Sequence, residues 1–189
     1  MAKIVEKNVA NPSQEPVSAD KKAREQRGPR KRVTQYGTQL RAKQKVKQAY
    51  GLREKQFRKY YEKALASKDV TGDAMLSLLE RRLDNVVYRM GIGPTRRSTR
   101  QIVSHGQICV NGKRVNIPSY IVKKGDEISI KENKREIALF KELKGMKLVM
   151  PKWVEFDTET LTGKVLALPK REDIDADFEE HLIVELYSR

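Results

Sequence analysis

Apolar positions recur with a helical period through the first half of the chain and with a strand period in much of the second. Over residues 52–65, Phe57, Tyr60, Tyr61, Ala64 and Leu65 fall at three- and four-residue steps, while Arg53, Lys55, Arg58, Lys59 and Lys63 take much of the remainder. That spacing predicts a helix with one packing face and one cationic face. Residues 38–50 are helix-compatible and run into Gly51, a natural left-handed stop. From residues 71–73 onward Leu76, Leu79, Leu83, Val86, Val87 and Met90 form one stripe that ends at Gly91, which predicts a single long helix. Thr95 is placed to cap a fourth helix reaching His105, with Gly106 as its stop and Ile102 and Val103 available to the core.

After Gly106 the period shortens. Residues 107–110 and 113–116 flank Asn111-Gly112, the strongest short hairpin signal, and Lys123-Lys124-Gly125-Asp126 turns the chain into an alternating strand over 127–131. A short helix is expected over 134–144. Residues 153–157 and 164–168 are expected to form a second hairpin around Gly163, anchored by Trp153. Asp177-Phe178-Glu179-Glu180 has the form of a capping box opening a last helix to Tyr187. The expected fold class is α+β: an N-terminal basic helical domain, then a helix-turn-helix and a small antiparallel β-sheet. The expected organisation is a flexible tail over 1–20, a basic arm and helical region over 21–80, a module over 81–145, and a C-terminal hairpin and acidic helix over 146–189 that pack back on the rest.

Composition sharpens this picture. The 189 residues hold 40 Lys and Arg against 25 Asp and Glu, a formal net charge of +15, so an extended polyanion is the partner that electrostatics selects first. Cations dominate residues 1–150 and carboxylates dominate residues 151–189. Residues 21–35, KKAREQRGPRKRVTQ, carry seven cations and one carboxylate, and Gly28-Pro29 breaks any helix through them, so they can lie along phosphates as an arm. One cysteine and two histidines allow neither an internal disulfide nor a Cys/His zinc cage, and no cofactor is expected. With no apolar run of about 18 residues and no secretory-type start, the expectation is a soluble, cytoplasmic, untargeted protein with no membrane association.

The chemistry concentrates where Arg81, Arg82, Arg89, Arg96, Arg97 and Arg100 cluster just before the hairpin. Helical steps place Arg96 near Arg100 and Arg97 near Gln101, so guanidinium groups and an amide can line one side of the fourth helix. Arginine forks hold phosphate oxygens bidentately, and Asn111, Lys113, Arg114 and Asn116 can continue that surface. The alternative is a solvated face. Tyr36, Tyr50, Phe57, Tyr60 and Tyr61 interleave with cations and can stack bases, although at helical spacing packing accounts for the last three and Tyr36 is the better contact candidate. His105 can cap carbonyls and approach phosphate. Glu80 and Asp84 read as helix-surface partners for nearby arginines, and Cys109 as a small buried hydrophobe.

At this block the sequence resembles a known family. RRLDNVVYRMG and TRRSTRQIVSHGQICVNGKRVNIPSYIVKKGDEISI are similar to the RNA-binding module named after small-subunit ribosomal protein four. YGTQLRAKQKVKQAYGLREKQFRKYYEKA resembles that family's N-terminal helical region, and EEHLIVELYSR its C-terminus, so the likeness to the bacterial-type family covers roughly residues 30–189. The resemblance implies a structural constituent of the small ribosomal subunit with no enzymatic activity. It implies a primary binder of small-subunit ribosomal RNA that nucleates assembly of the subunit body and contributes to translational fidelity. Its implied neighbours are other small-subunit ribosomal proteins, including protein five, and messenger RNA near the channel by which it enters.

The family's RNA-facing positions carry over onto Arg96, Arg97, Arg100, Gln101, His105, Asn111, Lys113, Arg114 and Asn116. In the N-terminal region they carry over onto Tyr36, Arg41, Lys43, Lys45, Lys47, Arg53, Lys55 and Arg58. Many members carry a zinc-binding cysteine cluster near the N-terminus, whereas residues 1–35 here contain neither cysteine nor histidine, which implies a zinc-free variant. The expected mechanism is recognition of RNA shape, in which cations release counterions for affinity and a rigid helix pair and hairpin select the backbone fold that fits. Rival readings are a small accessory RNA-binding protein acting on ribosomal particles and the RNA-binding part of an RNA-modifying enzyme. The second has no phosphate-cradling glycine loop or nucleophile motif to support it.

Overall fold

The computed structural model describes residues 34–143, 145, 149–174 and 177–188. The tail, most of the basic arm and nearly all of the segment in which zinc ligands are missing lie outside those residues. Helix α1 spans Gln35–Ala49 and ends at Gly51, whose φ of +59° matches its expected role as a stop. Helix α2, Glu54–Leu65, buries Phe57, Tyr60, Tyr61 and Ala64 as the spacing predicts, but Leu65 is 61% exposed. It is the helix's last residue, where the packing stripe has turned past its neighbours.

The long helix expected over residues 71–90 is two helices, α3 over Thr71–Glu80 and α4 over Leu83–Arg89. Arg82 between them is extended, with ψ of 136°, and forms an isolated antiparallel bridge with Ile121. There Val122 N–H donates to the Arg81 carbonyl and Leu83 N–H to the Tyr120 carbonyl, both at 2.9 Å. The helix is interrupted because its backbone groups are needed by the segment that crosses it, while the apolar stripe continues on both sides. Helix α5, Arg96–Ser104, is capped as expected: the Thr95 hydroxyl accepts from Ser98 N–H at 3.2 Å, and Gly106 has φ of +63°.

Five antiparallel strands follow: β1 Ile108–Val110, β2 Lys113–Val115, β3 Glu127–Ile130, β4 Val154–Asp157 and β5 Thr162–Val165, in the order β2-β1-β3-β5-β4. Asn111 and Gly112 both take positive φ, 50° and 74°, as a two-residue hairpin loop of this twist requires. The second hairpin does not turn at Gly163. It turns over residues 158–161, where Asp157 accepts from Glu159 N–H at 2.9 Å and Leu161 takes φ of 55°. Gly163 lies inside β5, where a Cβ would stand 2.6 Å from the Glu155 carbonyl oxygen and 2.9 Å from the Phe156 ring. The hairpin joins β3, so it extends the first sheet and forms no separate one.

Between β3 and β4 a 3-10 turn over Glu132–Lys134 leads to a short helix α6, Ala138–Leu143. The last helix, α7, spans Glu180–Tyr187 and lacks the expected capping box: no side-chain cap bond forms at Glu179. Arg171 fixes this end of the chain instead, donating to Glu180 Oε1 at 3.0 Å and to the Phe178 carbonyl at 3.1 Å. No described helix is long and apolar enough to cross a membrane.

Two apolar cores result. One joins α4, α5 and the inner face of the sheet around Val86, Ile102, Ile108, Ile128 and the buried Trp153. The other joins α1, α2 and α3 with Ile174, Phe178 and Ile183 from the end of the chain. There the Tyr187 ring stacks on Tyr61 with centroids 4.5 Å apart, and its hydroxyl donates to Glu54 at 3.0 Å. The acidic end of the chain therefore packs on the basic N-terminal helices. Cys109 is half-buried on the sheet face opposite the core, because strand alternation sends its neighbours Ile108 and Val110 inward.

Candidate nucleic-acid interface

Two buried carboxylates organise the arginine cluster. Glu80, at the end of α3, is fully buried and accepts from Tyr50 Oη at 2.6 Å, Asn85 Nδ2 at 2.6 Å, and Arg89 Nε and Nη2 at 2.9 and 3.0 Å. Asp84, in α4, accepts from Arg82 at 2.7 and 3.1 Å and from Arg100 Nε at 2.8 Å. Neither is the helix-surface partner its spacing suggested. A buried carboxylate persists only when paired and hydrogen-bonded, and here each has two cationic donors or more in reach. Burial, then the adjacent Glu80, pushes the Tyr50 hydroxyl far above the usual tyrosine range, so it stays a donor. Burial disfavours the charged Arg82, but the bonds to Asp84 and Tyr60 outweigh it and hold the guanidinium charged.

Helical steps bring Arg96 and Arg100 to one side of α5, as expected, yet that side turns inward. Arg96 Nε donates to Asn85 Oδ1 at 2.7 Å, and its guanidinium lies over the rings of Tyr50 and Tyr88, 5.0 and 4.7 Å from the centroids. Arg100 uses its remaining nitrogens on the carbonyls of Gly51 and Tyr50, at 2.6 and 2.9 Å. Arg97 and Gln101 face outward, and no hydrogen bond or ion pair joins either side chain to the described residues. A cleft of about 420 Å³ opens between α5 and the turn after α1, lined by Gln48, Tyr50, Gly51, Arg96, Arg97 and Arg100. It is a cationic hollow of fixed shape, with its arginines braced from behind.

The hairpin positions divide in the same way. Lys113 and Asn116 are exposed, as is His105 at the end of α5. Asn111 is committed to the fold: it donates to Asp126 at 3.0 Å and accepts from Glu127 N–H at 2.9 Å, tying the hairpin to β3. Arg114 donates through Nε to the Gly106 carbonyl at 3.2 Å and reaches solvent with the rest of its fork. In the N-terminal helices Tyr36, Arg41, Arg53 and Lys55 are exposed. Lys43 and Lys47 instead clasp Glu54 at 2.7 and 3.2 Å, Lys45 bonds the Asp177 carbonyl, and Arg58 pairs with Glu62 at 3.1 Å. Burial works against the charge on Glu54, but the bonds from Lys43 and Lys47 prevail and hold its carboxyl below the ordinary range. The Glu54 clasp was not singled out in the sequence.

Fold and site together define a basic helix-and-hairpin protein shaped to meet a polyanion. Residues 81–128 match the family model of the S4 domain, and residues 3–80 match that of the Ribosomal protein S4/S9 N-terminal domain. Among curated proteins, the chain is 55% identical over 163 residues to small ribosomal subunit protein uS4 of Ruminiclostridium cellulolyticum, covering 85% of this chain and 78% of that one. It is 54% and 56% identical to the uS4 proteins of Halothermothrix orenii and Caldicellulosiruptor saccharolyticus, each over 162 residues with the same coverage. The chain belongs to the small ribosomal subunit protein uS4 family.

Proposed function

We propose that this chain is a structural constituent of the small ribosomal subunit that binds its ribosomal RNA directly, as a primary binder, and nucleates assembly of the subunit body. The observation that carries the reading is the braced arginine cleft between α5 and the Gly51 turn. Its walls come from both cores, so it presents a preformed shape to folded RNA. Arg97, Gln101, His105, Lys113 and Asn116 supply outward donors for phosphate and sugar, as does the free part of the Arg114 fork, and Tyr36, Arg41, Arg53 and Lys55 extend the surface along the N-terminal helices. Arg96, Arg100 and Asn111 act on RNA by holding that surface in place. The acidic C-terminal helix packs on the chain's own basic helices, and other small-subunit proteins, protein five among them, are proposed as neighbours from the family resemblance alone. A position near the channel by which messenger RNA enters and an influence on translational fidelity belong to the same proposal, and the family resemblance implies both.

Membership of a ribosomal protein family across both regions of the chain supports this reading over the accessory protein and the RNA-modifying enzyme. The test is equilibrium binding of the purified protein to a folded 5′-region fragment of small-subunit ribosomal RNA, with bulk tRNA as competitor across a salt series. Binding that survives the competitor and requires folded RNA supports a ribosomal primary binder. Equal affinity for all RNAs, lost at modest salt, overturns it in favour of a generic cationic coat.

A further inference from the structure

The outer face of the sheet carries charge of opposite sign at its two ends. Strand register sets Arg114 on β2 opposite Cys109 on β1, and Cys109 opposite Ser129 on β3, all on the face turned away from the core. At this end Arg114, Lys131 and Arg135 line an open groove of about 400 Å³ together with Cys109, Ser129 and Asn133, and Glu132 is the one carboxylate among its lining residues. At the far end β4 turns Glu155 and Asp157 outward, beyond Glu127 on β3, so three carboxylates stand against one cation, Lys164 on β5, which register sets between Glu127 and Glu155.

We infer that the β2 end of this face is a second contact for the phosphate backbone of the same ribosomal RNA, with Lys131 and Arg135 as contacts that the sequence pattern did not single out. The inference rests on the RNA-binding reading above. Three cations against one carboxylate in a concave site focus a positive field, and Ser129 and Asn133 add hydrogen-bond donors suited to phosphate or ribose oxygens. Gly112, at the rim, has open space where a side chain would stand, so a backbone can approach the hairpin closely. Carboxylates at the β4 end repel phosphate and confine the strand to the β1–β2 side.

Cys109 is the chain's single cysteine and lines this groove, so it reports occupancy without any substitution. The experiment measures the rate of Cys109 alkylation by N-ethylmaleimide in the full-length protein, alone and saturated with the folded 5′-region RNA fragment, with complex formation checked by mobility shift. The expected result is a rate at least about tenfold slower in the complex. In the Lys131→Gln/Arg135→Gln double variant, most of that protection is lost and the salt slope of binding falls by about 1.4 to 1.8, the value for two phosphate contacts. An unchanged alkylation rate in a verified complex overturns the inference and leaves the RNA-binding reading intact. Protection that persists in the variant with an unchanged slope also overturns it, since the hairpin alone would then cover the thiol. Failure to form any complex removes the RNA-binding reading itself.

Discussion

Arg100, on α5, donates to the carbonyl oxygen of Gly51 across 2.6 Å, joining positions 49 residues apart in the chain. The same guanidinium donates to Asp84, so one side chain ties the turn after α1 to the helix that opens the second core. The Gly51 carbonyl lies just beyond the last residue of α1, near the negative end of the helix dipole, where a cation is favoured. Arg100 is thus a structural brace at the back of the cleft, and its neighbour Arg97 is the outward cation.

That division separates two substitutions that look alike in sequence. Arg97→Ala is expected to leave the melting temperature within about 1 °C and to lower the salt slope of RNA binding by roughly 0.7 to 0.9, the value for one phosphate contact. Arg100→Ala is expected to lower the melting temperature and weaken RNA binding, with a smaller change in slope. Thermal melts and salt titrations on both variants check this, and equal slope changes would contradict the assignment.

Glu80→Gln removes one buried negative charge while keeping the side chain's size. Arg89 is then left facing a neutral partner in a site closed to water, and Tyr50 and Asn85 lose the ionic character of their acceptor. Breaking a buried ion pair from one side costs about 3–5 kcal/mol. At about 2–4 °C per kcal/mol for a chain of this size, calorimetry should show a melting temperature lower by about 10 °C.

Tyr50 makes stability sensitive to alkali. Its hydroxyl pKa in the folded protein lies above the ordinary value of 10.0, because of burial and the adjacent Glu80, so the fold favours the protonated form. The contribution is complete below pH 10 and is lost as pH rises from 10 towards the raised value, by about 1 kcal/mol per pH unit. Denaturant midpoints at pH 8 and 10.5 should fall more steeply for the unaltered protein than for Tyr50→Phe. Part of the loss will remain in the variant, because burial and Glu54 raise the Tyr187 hydroxyl in the same sense.

Gly163→Ala places a methyl group 2.6 Å from the Glu155 carbonyl oxygen, a backbone atom of the paired strand that cannot swing aside. The expected cost is about 1–3 kcal/mol, as for other overpacked sites. Gly112→Ala has the positive φ penalty but meets nothing within 4 Å, so its cost should stay near 1 kcal/mol. Urea titrations of the two variants give the comparison, and a larger loss at Gly112 would overturn it.

Periodicity made the helices, the Asn111-Gly112 hairpin and the α+β class legible, because each rests on neighbours within a few residues. The break at Arg82 was not legible, since its cause is a backbone bridge to Ile121, 39 residues away. Placing the second turn at Gly163 followed the general habit of glycine, whereas this glycine answers a close approach from the next strand. For the cleft, the sequence located the arginines but not the direction in which each points. One signal was available: Glu80 sits four residues after Leu76 and three before Leu83, on the apolar stripe itself. A carboxylate on a buried stripe requires cations from elsewhere, and that requirement draws Arg89 and Arg96 inward.

The two cores differ in how the chain closes them. Residues 83–165 supply every buried member of the sheet core, an unbroken stretch that can fold as soon as it has left the machinery that makes it. The core of α1, α2 and α3 also needs Ile174, Phe178 and Ile183, so its helices wait for residues that come after the sheet core in the chain. Domains commonly fold in the order of their synthesis. Here the packing of α1, α2 and α3 is expected to be completed only after the sheet core that follows them in the chain has been made.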